Sequence, residues 1–226
     1  MSQALTRLLQ LASPALPVGA FSYSQGLEWA IEAGTVKDES TTLRWIADQL
    51  EWNLGRYEAP LLLRLLAAHK VSVPQGLPSV AGETVTELDG LYLASRESAE
   101  LRAETLQMGH SLRKLILDLL LPIAVPPQPT FPTAWTALAA HWDIAADEAL
   151  AAWLWSWAEN QAMAALKAVP LGQLAGQRML LELGRRIPAV VEQALALGDD
   201  ELSNFAPGFA IACARHETQY SRLFRS

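Results

Sequence analysis

The chain has 226 residues, 51% of them hydrophobic and 18% charged, with a formal net charge of −7. Such a composition excludes a disordered chain, and the acidic balance argues against nucleic acid as a partner, because phosphate binding needs a basic face. The single cysteine, Cys213, rules out an internal disulfide and a cysteine-rich metal site, and the length suits one large domain or two small ones.

The opening MSQALTRLLQLASPALP lacks a basic stretch followed by a long apolar run, so no signal peptide is read there. No stretch offers about 20 charge-free apolar residues either, and the chain is expected to be cytoplasmic and soluble, without a membrane partner. Leu5, Leu8, Leu9 and Ala12 predict a first short helix, ended by Ser13-Pro14 and Leu16-Pro17. The two prolines and Gly19 then impose a fixed turn; Ser22 or Ser24 caps a helix that Gly34 ends. Phe21 and Tyr23 sit beside that turn, which reads either as a rigid core loop or as a recognition loop. A helix starting at Asp38, Ser40 or Thr41 carries Leu43, Ile46, Leu50 and Leu54 on one face, and Pro60 suits the first position of another. Val71 to Gly82, charge-free with two prolines and two glycines, reads as a loop.

Helical patterning resumes from Glu83 to Leu121, with a break near Gly90 or Ser98. Leu101, Met108, Leu112, Leu115 and Leu119 form a packing face. Arg96 and Glu100 are four apart, as are Glu100 and Glu104, so the opposite face is either solvated or carries a partner. Residues 122–131 form an extended linker, and Thr130 with Pro132 starts a short helix bearing Trp135.

Asp147 to Val169 is apolar on nearly every side and is expected to be the central buried helix, roughly 34 Å long at about 1.5 Å per residue. Its alanines permit close approach of neighbours, while Trp153, Trp155 and Trp157 fan out to fill wider gaps. Ser156, Asn160 and Lys167 share one face, flanked by Glu159 and Gln161. They form either a satisfied polar network or a strip that meets a partner or lines a passage, with Lys167 nearest the surface.

Past Pro170, Gly172 and Gly176 start a closely packed helix, and Ile187-Pro188 starts another that ends at Gly198. A terminal helix from about Phe209, if continued, lines up Arg215, Thr218, Arg222 and Arg225 beside His216 and Tyr220. Arginine next to aromatic residues is the composition of interface hot spots. With no two-residue alternation and no internal repeat, the expected fold is all-α: a single-domain helical bundle over residues 1–226, wrapped around the central helix.

No catalytic or metal site is indicated. His69, His110, His141 and His216 are scattered without metal-ligand spacing, and no phosphate loop, nucleophile elbow or dinucleotide fingerprint occurs. Asp199, Asp200 and Glu201 are hard-cation ligands in type but read as an exposed loop; a helical enzyme with Mg²⁺ on Asp199 and Asp200 is the weakest alternative.

Four segments, LLQLASPALPVGAFSYSQGLEWAIEAG, LASRESAELRAE, WSWAENQAMAALKAVPLGQLAGQRML and ARHETQYSRLFRS, closely resemble the UreF family of urease accessory proteins. The resemblance implies an all-helical homodimer that is not an enzyme and needs no cofactor. It implies partnership with a UreD/UreH-type accessory protein and a UreG-type GTPase, in a complex that delivers nickel to apo-urease. It further implies a partner-binding tail from about residue 214 to 226, with Arg215, His216, Glu217, Tyr220, Arg222 and Arg225 as its motif. Phe21, Ser22, Tyr23 and Glu28 make the N-terminal motif, and Lys167 stands where the family writes a similar lysine; Ala168 departs from a larger apolar residue. A second functional reading is a GTPase-activating protein that lends an arginine to the nucleotide site, an effect on the order of 10³ to 10⁵ in rate.

Overall fold

The computed structural model describes residues 3–71 and 84–226, and every regular element among them is helical. Helix α1 spans Gln3–Ala12, α2 Leu27–Glu32, α3 Glu39–Gln49 and α4 Ala59–Val71. Further on are α5, Val85–Ala94; α6, Ala99–Asp118; α7, Phe131–His141; α8, Ala146–Ala168; α9, Gln173–Ala196; and α10, Pro207–His216. The loop expected over residues 71–82 lies outside the described residues, apart from Val71, which closes α4. Among the described residues no helix is long and apolar enough to cross a membrane.

Local chemistry sets several boundaries where expected. Asp38 accepts from the Thr41 amide at 2.9 Å and caps α3, and Thr84 pairs with Glu87 in the same reciprocal way at the start of α5. Ser98 accepts from the Leu101 amide at 3.2 Å, so the break between α5 and α6 falls there, and Gly90 stays inside α5. Leu101, Met108 and Leu112 are buried, but the stripe then rotates away: Ile116 takes the core position and Leu119 is 51% exposed.

Two prolines do not start new helices. Residues Leu50–Glu58 are π-helical and join α3 to α4 without a gap, carrying the chain past Pro60. A proline lacks the amide that would bond the carbonyl four residues earlier. Here the freed Arg56 carbonyl accepts the Ser203 amide at 3.1 Å, so a distant loop supplies the missing donor. Pro188 likewise lies within α9. The wide π turn also presses on α9, because a Cβ on Gly55 would stand 2.7 Å from Val190 Cγ1.

Helix α8 packs against α9, α1, α4 and α2. Its Trp153 meets the Trp135 ring edge-on at 5.5 Å and Phe131 at 5.0 Å, in the largest apolar cluster. Of the polar residues on α8, Ser156 donates to the Trp153 carbonyl at 2.9 Å and Asn160 reaches the Tyr23 carbonyl at 3.4 Å. Gln161 is fully buried with neither amide atom partnered, so the polar residues of α8 do not close into one satisfied network.

Candidate functional site

The tail is not a helix beyond His216. Thr218 turns back on the Arg215 carbonyl with both its amide, at 3.2 Å, and its hydroxyl, at 3.1 Å, which ends α10. The arginines expected in one helical stripe therefore lie on an irregular segment, residues 217–226, that folds back over the N-terminal loop.

Glu28, in the first turn of α2, is the centre of this docking and is only 8% exposed. One carboxylate oxygen accepts the Leu223 amide at 2.6 Å, and the other accepts the Phe224 amide at 3.0 Å. His216, fully buried, stands between two carboxylates, with Nδ1 2.7 Å from Glu100 and Nε2 3.4 Å from Glu28. Arg222 bonds the second Glu100 oxygen at 2.5 Å, and Glu217 takes the Ala99 amide at 2.6 Å, covering the positive end of α6. The Phe224 ring completes an apolar cluster with Leu27, Ala30, Val36, Ala164, Ala165 and Val169.

The last residues are gripped by a strained backbone. Gln25 has φ of +52° and Gly26 of +76°, which turns the amides of Ser24 and Gln25 onto the Ser226 oxygen at 2.6 and 2.9 Å. The Gln25 side chain continues inward, accepting from Trp157 Nε1 at 2.6 Å and donating to Glu104 at 2.6 Å. The other Glu104 oxygen takes the Ser226 hydroxyl at 2.6 Å.

Beneath this network lies a cavity of about 360 Å³. Its walls include Leu11, Val18, Met108, Trp153 and Trp157, with Glu58, Arg96 and Glu104 on the polar side and Phe21, Met163 and Lys167 also bordering it. Ser156, Glu159 and Asn160 border it too, so the polar strip of α8 faces this space, while Gln161 is not part of its lining. Lys167 Nζ lies 5.9 Å from the Phe21 ring and 5.7 Å from the Phe224 ring, and thus bridges the two motifs.

Burial shapes the charges inside. Burial, only partly offset by the bonds from Ser226 and Gln25, raises the Glu104 carboxyl to about 7. Arg96, over the Tyr92 ring at 4.1 Å and 2.5 Å from Glu58, keeps its proton firmly: burial works against its charge, but Tyr92, Glu58 and Glu97 outweigh it. Burial also raises Glu97, both of whose carboxylate oxygens lack a partner, and pushes the Cys213 thiol well up, which leaves it unreactive.

The structure thus brings the expected residues of both motifs together, in different roles. Tyr23, Glu28 and His216 are buried in the seat of the tail, and Ser22 receives the Arg225 amide on its carbonyl at 2.9 Å. Phe21, Lys167, Arg215, Glu217, Tyr220, Arg222 and Arg225 are exposed, Tyr220 completely. Sequence reasoning did not single out Ser24, Gln25, Glu58, Arg96, Glu100, Glu104 or Ser226 as site residues. The pairing of like charges at Glu100 and Glu104 was the available signal, since two acids on one helix face call for donors from elsewhere. Asp199, one of the two residues of the weakest, Mg²⁺-binding alternative, is exposed and pairs with Arg64, and among the described residues no group of three acidic, histidine or cysteine side chains could hold a metal ion.

A family model described as UreF matches residues 36–184, a span that includes Lys167 but neither the N-terminal motif nor the tail. Whole-chain similarity reaches further. The chain is 58% identical over 231 residues to a protein of Azoarcus sp. (strain BH72) named urease accessory protein UreF, covering 98% of this chain and 95% of that one. It is 54% identical over 230 residues to the protein of that name from Dechloromonas aromatica (strain RCB), covering 98% and 97%, and 47% identical over 232 residues to that of Methylobacillus flagellatus, covering 100% and 99%.

Proposed function

Because the chain belongs to the UreF family of urease accessory proteins, we propose that it acts without catalysis of its own, as a homodimeric assembly factor in the cytoplasm. In this reading it bridges a UreD/UreH-type accessory protein and a UreG-type GTPase while nickel is inserted into apo-urease. The observation that carries the reading is the composite face made by the two motifs. Phe21, Lys167, Tyr220, Leu223 and Arg225 are exposed on it, above a seat that includes the buried Glu28, His216 and Phe224. Exposed aromatic and arginine side chains on a rigid support are the usual anchors of a protein interface.

The test is light scattering after gel filtration, with the chain alone and mixed with the UreD/UreH-type partner. Tyr220→Ala and Arg225→Glu should weaken the complex while circular dichroism and melting stay unchanged. Unchanged affinity in both variants removes this face from the interface. Truncation at Ala214 is a poorer probe, because it also strips the cover from Glu28 and His216.

A second reading rests on Arg215, which is exposed near the end of α10 and forms no ion pair among the described residues. An arginine in that condition is free to enter a nucleotide site. If the chain activates the GTPase, Arg215→Ala lowers GTP turnover by the UreG-type partner without lowering affinity for it; a pure scaffold shows no change in turnover.

A further inference from the structure

The cavity of about 360 Å³ has the size of a small-molecule site, and one stretch of its wall is aromatic. Phe131 and Trp153 lie there with ring centroids 5.0 Å apart and planes tilted by 31°; Trp157 and Met108 add to that wall. Phe21, Met163 and Lys167, all exposed, border the cavity where it meets solvent. Several polar groups of the lining already have partners. Trp157 Nε1 donates to Gln25, Gln25 donates to Glu104, the Thr105 hydroxyl accepts the Phe131 amide at 3.1 Å, and Ser156 donates to a carbonyl of its own helix. Two do not: Trp153 Nε1 and Arg96 Nε are buried, and no acceptor among the described residues reaches either. Trp153 is 5% exposed, as is the Arg96 side chain. A buried N–H without an acceptor costs stability, and this fold keeps two of them in the wall of one cavity.

We propose that this cavity binds an uncharged small molecule of two or three aromatic rings that carries a carbonyl-type oxygen, with the Trp153 N–H as the donor to that oxygen. This inference is independent of the assembly reading and of which partner the exposed face receives.

The walls set the chemical class. Aromatic side chains and methionine sulfur pack well on the faces and edges of aromatic rings, and the volume admits more than one ring. The ligand must bring an acceptor, because both unpartnered polar groups are donors. It must also be uncharged. A carboxylate or phosphate head would face Glu58 and Glu104 in a space with little water, while Arg96 is already engaged by Glu58 at 2.5 Å. An ammonium head would find those carboxylates taken, Glu58 by Arg96 and Glu104 by Gln25 and Ser226, and the Arg96 charge beside them. The site is also built before any ligand arrives. Pro14 and the Val18 amide, bonded to the Leu16 carbonyl at 2.7 Å, fix one side of the rim, and Trp153 and Met108 stand on helices packed in the main core. Binding therefore orders little of the chain, which favours affinity.

The experiment titrates the full chain with two fluorescent compounds: prodan, an uncharged naphthyl ketone, and its analogue lacking the propionyl group, which keeps the rings and has no carbonyl. Prodan emission should shift to the blue and saturate at one molecule per chain, with affinity roughly tenfold above that of the analogue. Trp153→Phe, which keeps a ring and loses the N–H, should weaken prodan roughly tenfold and leave the analogue unchanged. Met163→Trp, at the exposed border, should weaken both compounds while circular dichroism and melting stay unchanged. Absence of saturable prodan binding overturns the proposal. Equal weakening of the two compounds by Trp153→Phe does so too, since the cavity would then be a plain apolar void. So does prodan binding that Met163→Trp leaves intact, because the compound would then sit elsewhere. Should Trp153→Phe fail to fold, the natural chain decides: equal affinity for the two compounds overturns the role given to the acceptor.

Discussion

Glu28 and its neighbour Leu27 hold Phe224 at two points: the Glu28 carboxylate accepts the Phe224 amide at 3.0 Å, while the Leu27 side chain packs in the same cluster as the Phe224 ring. The N-terminal motif and the tail are therefore one structural unit, and the exposed residues of both depend on contacts made by the buried ones.

Glu28→Ala removes an acceptor shared by two amides and by His216. The expected loss is about 3 kcal/mol, from charged hydrogen bonds left unmade. Denaturant unfolding should show it, and the bond after Arg222 should become open to trypsin while helix content holds.

Phe224→Ala leaves a void among Leu27, Ala30, Val36 and Val169, with an expected cost of about 3 kcal/mol. The two effects share one docking event, so the Glu28→Ala, Phe224→Ala double variant should lose clearly less than the sum. Full additivity in a double-mutant cycle would mean that the tail and α2 are independent.

Lys167→Ala should move stability by no more than about 1 kcal/mol, because Lys167 is itself exposed and its ring contacts, at 5.7 and 5.9 Å, are long. A weakened complex with the UreD/UreH-type partner at unchanged melting temperature would mark Lys167 as a contact. A collapse in melting would make it structural.

Two glycines give opposite expectations. A Cβ on Gly109 would lie 2.1 Å from the Pro129 carbonyl oxygen, where backbone cannot yield, so Gly109→Ala should cost several kcal/mol, more than about 3 by the scale of core overpacking. Gly90 is exposed inside α5 with nothing within 4 Å, and Gly90→Ala should stabilise by about 0.5 to 1 kcal/mol. Thermal melts of the two variants check both signs.

Arg96→Met should cost about 3 to 5 kcal/mol, because it strands Glu58 in the interior. Adding Glu58→Gln should recover part of that loss in chemical denaturation, since the stranded charge goes too.

The helical class was legible because hydrophobic spacing and signals such as the cap at Asp38 and the break at Ser98 act locally. The run through Pro60 was not, since a loop residue far along the chain, Ser203, supplies the donor that the proline lacks. The tail shows the same limit. Arginine spacing predicted a helical stripe, but the acceptors that bend residues 217–226 are Glu28 and Glu100, which no local window contains. The two motifs could be picked out in the sequence; that they would pack against each other could not.

The bond from Ser24 to Ser226 joins residues 202 positions apart. On a ribosome the chain emerges from its N-terminus, so the seat around Ser24 and Glu28 leaves the tunnel long before its cover is translated. Until the tail has followed, the composite face does not exist, and the carboxylate of Glu28 stands without the amides that cover it.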